Sequence, residues 1–369
     1  MIVTTLPITP GKHNSFKTLF GPLIADIFAK LTGYQFITVL NVVHSFHSFD
    51  IFVNEYLDQL SRLNIKPSVV KSDNSQDYKE CVINVVYDLF NRGFLKIQKM
   101  SMIYCDCGVV ELPYVVYKTL KAQNRYKNIQ QDRCKECGSK LLQKTESVLV
   151  LHLPNEKMEI SISPSFYKNR LEQGFENFQR PIVISRNHRN GLRVTLKGQS
   201  FNLDTDFYWM VYLIYLNDQK VYIISGSDTI NHSAKAIKLC SICKPKIQIN
   251  LIAHPLLEIV NSNIELSNFN INKYLDYCKT AKEARTFLML GAQWSKMQSI
   301  ISTKDLHLVK NSVYPKQNFI FENCINTIVP EDFCKTVNRN KILELLKIMR
   351  GFQIKLNDDQ AMIKDSLLG

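Results

Sequence analysis

Four cysteines in two pairs are the residues of this chain whose type and spacing most directly suggest chemistry. Cys105 and Cys107 stand in "YCDCGVV", and Cys134 and Cys137 in "DRCKECGSK", with 26 residues (108–133) between the pairs. Two short turns that each present two thiolates, closed by an intervening stretch, suit tetrahedral zinc. Gly108 and Gly138 follow the pairs and suit tight knuckle turns. The CxC pair is tighter than the usual CxxC. Four sulfurs leave no ligand position open, so the expected site is structural and not catalytic. The same residues also read as four buried thiols in a metal-free module, and that alternative stands beside zinc. Cys240 and Cys243 in "CSIC" have no second pair and read as core cysteines.

A second group lies near the N-terminus. "TTLPITPGKHNSFKTLFGPLIADIFAKLTGYQF" holds Lys12 and His13 in a Pro/Gly loop between a short strand and a long apolar-periodic segment. Nucleotide-binding α/β domains begin in this way, because a helix start is a ready site for phosphate. The loop contains neither GxGxxG nor GxxxxGK[ST].

The elements that must position these residues alternate. The spacing predicts a strand over residues 2–7, and a helix over 19–31 with Leu19, Leu23, Ile27 and Leu31 on one face, closing at Gly33. "YQFITVLNVV" reads as a buried parallel strand, 52–63 as an amphipathic helix, "PSVV" as a brief strand, and 78–91 as a helix ending at Gly93. Such alternation implies an α/β fold with a Rossmann-like doubly wound parallel sheet, whose ligands sit at the carboxyl ends of the strands. From residue 101 the chain turns loop-rich and cysteine-bearing. "FYWMVYLIY" and "KVYIISGSD" then read as strands, followed by a helix over about 233–239. From about residue 272 the pattern is helical, with Ile342, Leu345, Leu346 and Met349 on one face. The expected organisation is residues 1–100 as the first half of the nucleotide-binding domain, 101–200 as an inserted zinc-knuckle module, 201–270 as the second half, and 271–369 as a helical C-terminal region.

The 369 residues carry a net charge of +13 and a pI near 9.1, a balance that suits a polyanionic partner such as RNA. A generally basic surface is the other reading. The longest apolar block, residues 207–216, is about half a membrane span, and the N-terminus has no secretory pattern. The expectation is a cytoplasmic protein without a membrane partner, its ten cysteines serving as thiols or metal ligands.

In order and local pattern, residues 4–300 resemble class I aminoacyl-tRNA synthetases, and among them most closely the methionyl branch. "LPITPGK" is similar to that family's first strand and loop, and "LIADIFAKLTGYQF" to its signature helix. "DYKECVINVVYDLFNRGFLKIQKMSMIYC" resembles the helix and hairpin entering its zinc knuckles, and "TESVLVLHLP" the strand leaving them. "VISRNHRNGLRV" resembles its ISRxxxxG segment, "DFYWMVYLIY" its strand with the pocket tryptophan, and "VYIISGSDTINHSAKAI" the strand and helix around its GxD. By the same resemblance, most of the family's anticodon-binding helical domain is expected to be missing from this sequence.

The resemblance implies ATP-dependent adenylation of an amino acid or related carboxylic acid, with transfer to tRNA or a small-molecule acceptor. It implies structural Zn2+, and ATP with Mg2+ in an active enzyme. Catalytic contacts with phosphate would fall to Lys12, His13 and Lys17, and ATP contacts to Pro7, Gly11, Gly226 and Asp228, where a carboxylate accepts ribose hydroxyls. Leu6, Ile8, Trp209 and His232 would form the amino-acid pocket. The family's two signatures are degenerate here. The HIGH slot falls on "SFKT" (15–18), and the KMSKS slot reads "IELSN", with no lysine between Lys246 and Lys273. Val43 stands where the family holds the substrate ammonium with a carboxylate, His44 and His47 nearby, and no acidic residue precedes Asp50 after that strand. Basic stretches with Arg186, Arg189, Arg193 and Lys197, and with Tyr126 among Lys and Arg, suit RNA contact. A catalytically inactive relative acting as an RNA- or protein-binding module is the alternative, and a small-molecule sensor a further one.

Overall fold

The structure is a computed structural model. It describes residues 1–10, 16–43, 49–106, 110–111, 133–134, 137–154, 160–177, 181–186, 191–260, 278, 280–302, 305, 308–309 and 332–350.

In chain order, β1 (Ile2–Thr5), α1 (Phe16–Thr32), β2 (Gln35–Leu40), α2 (Phe49–Arg62), β3 (Val69–Ser72) and α3 (Gln76–Asn91) open the fold. β4 (Leu95–Tyr104), β5 (Val110–Glu111), β6 (Leu142–Leu151) and β7 (Ser161–Ser163) follow. After a helix at Lys168–Asn177 come β8 (Ile182–Val183), β9 (Arg193–Leu196) and β10 (Gln199–Asn202). Short helices at Thr205–Met210 and Tyr212–Leu216 lead to β11 (Lys220–Gly226) and the helix Ile230–Cys243. β12 (Gln248–His254), β13 (Leu256–Val260), the helix Ala281–Met289, β14 (Gln298–Ser302) and helices at Phe333–Thr336 and Arg339–Arg350 complete the described elements.

The chain divides into two compact units. The first comprises residues 1–75, 157–175 and 216–369, and is built on a six-stranded sheet of order β3-β2-β1-β11-β12-β7 in which every pairing is parallel. The order reverses between β1 and β11, since β1 leads outward to β2 and β3 while β11 leads outward to β12. That reversal opens a crevice at the carboxyl ends of both strands. The doubly wound α/β expectation from the sequence is met.

The sheet forms because its strands are apolar on both faces. β2 and β12 are buried at every residue after the first. α1 covers one face with Leu19, Phe20, Leu23, Ile24, Ile27 and Phe28, all fully buried. Burial of each such side chain is worth about 2 kcal/mol. Gly33, at φ +71, ends α1 in the left-handed conformation, its N–H donating to Ala29 O at 2.8 Å. The helix Ala281–Met289 is joined to α1 by a buried charge pair. Arg285 Nη2 lies 2.8 Å from Asp26 Oδ2, both side chains nearly inaccessible, and Arg285 Nη1 donates to the carbonyls of Leu63 and Asn64. In the helix Arg339–Arg350, Ile342 and Leu346 are buried, and the side chains of Leu345 and Met349 lie outside the described residues.

The second unit comprises residues 76–156 and 176–215. It holds α3, an antiparallel sheet of order β5-β4-β6-β8, and the β9–β10 hairpin. β4 and β6 pair along their whole length, from Leu95↔Leu151 to Tyr104↔Leu142.

Three elements differ from the sequence reading. "FYWMVYLIY" is helical and not a strand. A continuous apolar run fits either state, and here Asp204 caps the first turn by accepting from the Asp206 N–H. β14 interrupts the stretch read as helical, pairing in parallel with β13. β7, within the stretch read as an inserted module, is the outer strand of the six-stranded sheet. Among the described residues, no helix is long and apolar enough to cross a membrane.

Candidate functional site

The crevice begins where β1 ends. Leu6, Pro7 and Ile8 are half-buried, and Ile8 runs beside the end of β2, its N–H donating to Val39 O and its carbonyl accepting from Asn41 N–H. Gly11, Lys12 and His13 lie outside the described residues. Lys17 is placed in the first turn of α1, which carries no acidic residue to offset the positive end of the helix.

β11 supplies the other lip. Gly226 pairs with His254 at the end of the β11–β12 ladder, and Asp228, two residues on, is exposed. A Cβ on Gly226 would stand 2.7 Å from Asp228 Oδ1, so the glycine is what lets the carboxylate fold back over the strand end. Thr229 N–H and Oγ1 both donate to Gly226 O, closing the turn. His232 is exposed in the first turn of the helix that follows.

His254 was not singled out in the sequence. It is buried at the end of β12, its ring edge-on to Phe20 with centroids 5.1 Å apart. Nδ1 lies 2.9 Å from Pro255 O, which places the proton on Nδ1 and leaves Nε2 as an acceptor. Burial pulls its pKa down to about 4, against smaller raising effects of the Pro255 carbonyl and Asp228, so the ring is neutral at pH 7. The spot that a Cβ on Gly21 would occupy is 3.4 Å from Nε2, setting an uncharged imidazole under the early turns of α1. The available signal was a histidine closing the apolar run "LIAH".

At Val43 the structure adds a group from elsewhere in the chain. Asp73, fully buried just after β3, accepts the N–H groups of Val42 and Val43 at 2.7 and 3.1 Å. A carboxylate does reach this strand end, but beneath the backbone. His44 and His47 lie outside the described residues, as do 261–277, the stretch that includes "IELSN".

In the second unit, Cys105, Cys134 and Cys137 converge from the end of β4 and the turn after the 108–133 stretch. Their sulfurs lie within 4.8 Å of one another, with Cys105 Sγ to Cys137 Sγ at 3.3 Å. A tetrahedral zinc with Zn–S near 2.3 Å needs sulfurs about 3.8 Å apart, so the three fit a metal ion. The knuckle is built by Gly138 at φ +74, whose N–H donates to Cys134 O, and by Cys134 N–H donating to Ser139 O. Cys107 lies outside the described residues. Cys240, in the first unit, is fully buried, and burial raises its thiol pKa to about 12, as suits an inert core cysteine. Cys243 is half-buried.

Trp209 is half-buried on the helix Thr205–Met210 of the second unit, and not on a strand. Of the basic residues read as RNA contacts, Arg186 is half-buried and ion-paired to Asp204. Arg193 and Lys197 are exposed on the β9–β10 hairpin, while Arg189 and Tyr126 lie outside the described residues.

No protein-family model matches this sequence, and no curated protein matches it. Solved structures do. Methionyl-tRNA synthetase of Mycobacterium tuberculosis in complex with methionyl-adenylate aligns with a TM-score of 0.63 at 13% identity, over 99% of this chain and 87% of that one. A crystal structure of the same enzyme bound by methionyl-adenylate aligns with a TM-score of 0.61 at 13% identity, over 84% of this chain and 68% of that one. By this likeness the chain has a class I aminoacyl-tRNA synthetase fold, similar to that of the methionyl enzymes.

Proposed function

We propose that this chain is a class I synthetase-like ligase that adenylates an amino acid or related carboxylic acid with ATP and passes the acyl group to tRNA or a small-molecule acceptor. The observation that carries the reading is Asp228, an exposed carboxylate folded over Gly226 where the sheet reverses between β1 and β11. Carboxyl ends at such a reversal are where open α/β sheets bind nucleotides. In the reaction, a carboxylate oxygen attacks the α-phosphorus of ATP and the bond to the bridging oxygen breaks, releasing pyrophosphate. An acceptor hydroxyl or amine then attacks the acyl carbon and AMP leaves.

Asp228 accepts hydrogen bonds from the ribose hydroxyls, with Gly226 giving the nucleotide close approach to the strand. Pro7 shapes the opposite lip, and Gly11 is assigned an ATP contact on the family resemblance alone. On the family resemblance Lys12, His13 and Lys17 would meet the phosphates, and Mg2+ would supply further positive charge there. Leu6, Ile8 and His232 are the first unit's contribution to the acid pocket. Trp209 is assigned to acid recognition on the family resemblance alone. Cys105, Cys134 and Cys137, with Cys107, hold zinc as a closed structural site. RNA contact would involve Arg193 and Lys197, and a cytoplasmic location fits the thiol-rich composition.

A second reading, a binding module without catalysis, is favoured by one observation. The only carboxylate that the described residues bring to Val43 is Asp73, which is fully buried and committed to backbone N–H groups. ATP–pyrophosphate exchange with pools of amino and other carboxylic acids separates the two. Exchange stimulated by one pool and lost in His13→Ala supports the ligase. A folded protein with no exchange in any pool supports the binding module.

A further inference from the structure

We infer that Ser227 is a positioning residue of the nucleotide site, its hydroxyl joining the strand end that carries Asp228 to the β13–β14 pair so that ribose recognition depends on that joint. The inference rests on the reading of Asp228 as the ribose ligand.

Ser227 lies between Gly226 and Asp228 and is 2% exposed. Its backbone N–H donates to His254 O at 2.7 Å, extending the β11–β12 ladder by one bond. Its hydroxyl is used twice. Oγ donates to Met297 O at 2.7 Å and accepts from the Leu256 N–H at 3.2 Å. The Leu256 N–H also reaches Met297 O at 2.9 Å, so the three groups close a triangle. Leu256 is the first residue of β13, and Met297 immediately precedes β14. These two strands form a sheet of their own, outside the six-stranded one.

The neighbouring hydroxyls point elsewhere. Ser233 Oγ donates to Ser225 Oγ at 2.8 Å, Ser225 Oγ meets Thr229 Oγ1 at 3.1 Å, and Thr229 Oγ1 donates to Gly226 O at 3.1 Å. That chain holds the turn from within. Among the described hydroxyls of the turn, Ser227 is the one bonded to β13–β14. Asp228 is exposed and gains little placement from packing, so its backbone sets the position of its carboxylate. Recognition by two short charge-assisted hydrogen bonds tolerates little displacement.

Removal of the hydroxyl leaves the Leu256–Met297 bond and the Ser227–His254 bond in place. Both sheets therefore persist in Ser227→Ala, with β12 still running into β13 through Pro255, and the two hydroxyl bonds of the joint alone are lost. The test is calorimetric titration of the full chain with ATP, 2′-deoxy-ATP and inorganic tripolyphosphate, for wild type, Ser227→Ala and Ser227→Thr. Wild type is expected to prefer ATP over 2′-deoxy-ATP by about tenfold, the scale of one charge-assisted hydrogen bond. In Ser227→Ala the preference falls to about twofold or less, with tripolyphosphate affinity unchanged; Ser227→Thr, which keeps a hydroxyl, restores it. Amide exchange at Leu256 quickens in the alanine variant, while that of β11 and β12 is retained. A folded Ser227→Ala with the full wild-type preference overturns the inference and leaves the ligase reading standing. An alanine variant that unfolds makes the hydroxyl a requirement of the fold, which also overturns a positioning role. Wild type that binds no ATP overturns the ligase reading and this inference with it.

Discussion

Along β2 and β12 burial is continuous after the first residue, whereas along β6 it runs out. Val148 to Leu151 are buried, Glu146 and Ser147 are half-buried, and Leu142 to Thr145 are exposed. One face of that antiparallel sheet carries a small cluster, Met102, Val148 and Val150 with Met100, Tyr104 and Val183 against it, while Leu95, Leu149 and Leu151 of the same strands are buried outside that cluster. The cluster around α1 gathers side chains from helices and strands throughout the first unit. One region is thus held by apolar area, and the tip of the other ends in three converging sulfurs, those of Cys105 and Cys134 buried and that of Cys137 on an exposed residue. Small elements without a core are where metal ligation substitutes for burial. The crevice at the carboxyl ends of β1 and β11 belongs to the region held by apolar burial.

The largest effect expected from a single substitution is at Arg285. It is fully buried, and although Asp26 opposes the effect, burial lowers its pKa. Arg285→Ala leaves the buried Asp26 carboxylate with only the half-buried Lys30, 3.1 Å away, and the Lys66 N–H, and should cost roughly 3 kcal/mol in urea unfolding. A double variant, Asp26→Leu with Arg285→Met, should cost less than the single one. Equal losses would mean that packing, and not the weakened pairing of Asp26, sets the cost.

Next is His254, whose folded pKa is about 4 against an ordinary 6.5. Between those values the unfolded chain takes up a proton that the folded chain refuses. Stability is therefore level in this respect above pH 6.5 and falls as the pH drops towards 4. The loss approaches about 3 kcal/mol. Comparing urea unfolding at pH 7 and pH 4 for wild type and His254→Gln isolates it, because the variant should lose less by about that amount. An identical pH dependence in the two proteins would show that the ring is not held neutral.

A smaller thermodynamic effect is expected at the cysteines. Cys134→Ser should take bound zinc from one per chain to none by atomic absorption and speed amide exchange over 137–145. The main urea transition should move by less than about 1 kcal/mol, since the first unit's apolar core contains no residue of the tip. A shift of several kcal/mol would erase the contrast between the two regions.

Much of the parallel sheet was legible because period and punctuation agree there. α1 shows an apolar stripe closed by Gly33, and "YQFITVL" is a β-rich run bounded by turns. The helix Thr205–Met210 was not, because an unbroken aromatic and aliphatic run has no period, and the Asp204 cap was the cue that decides it. β14 is five residues long, too short to stand against a helical surrounding. The site was legible in part. Gly226 and Asp228 adjoin in sequence and carry a pattern, and three of the four paired cysteines meet as their spacing suggests. Asp73 reaches Val43 across 30 positions, and Ser227 reaches Met297 across 70. Contacts of that separation are products of strand order, which no local pattern encodes.

The most direct measurement is ATP binding by wild type and Asp228→Asn, titrated side by side by calorimetry. One site per chain, weakened about tenfold or more in the variant with an unchanged urea transition, is the expected result. No binding by the wild-type protein, or equal binding by both, would contradict a nucleotide site at the carboxyl end of β11.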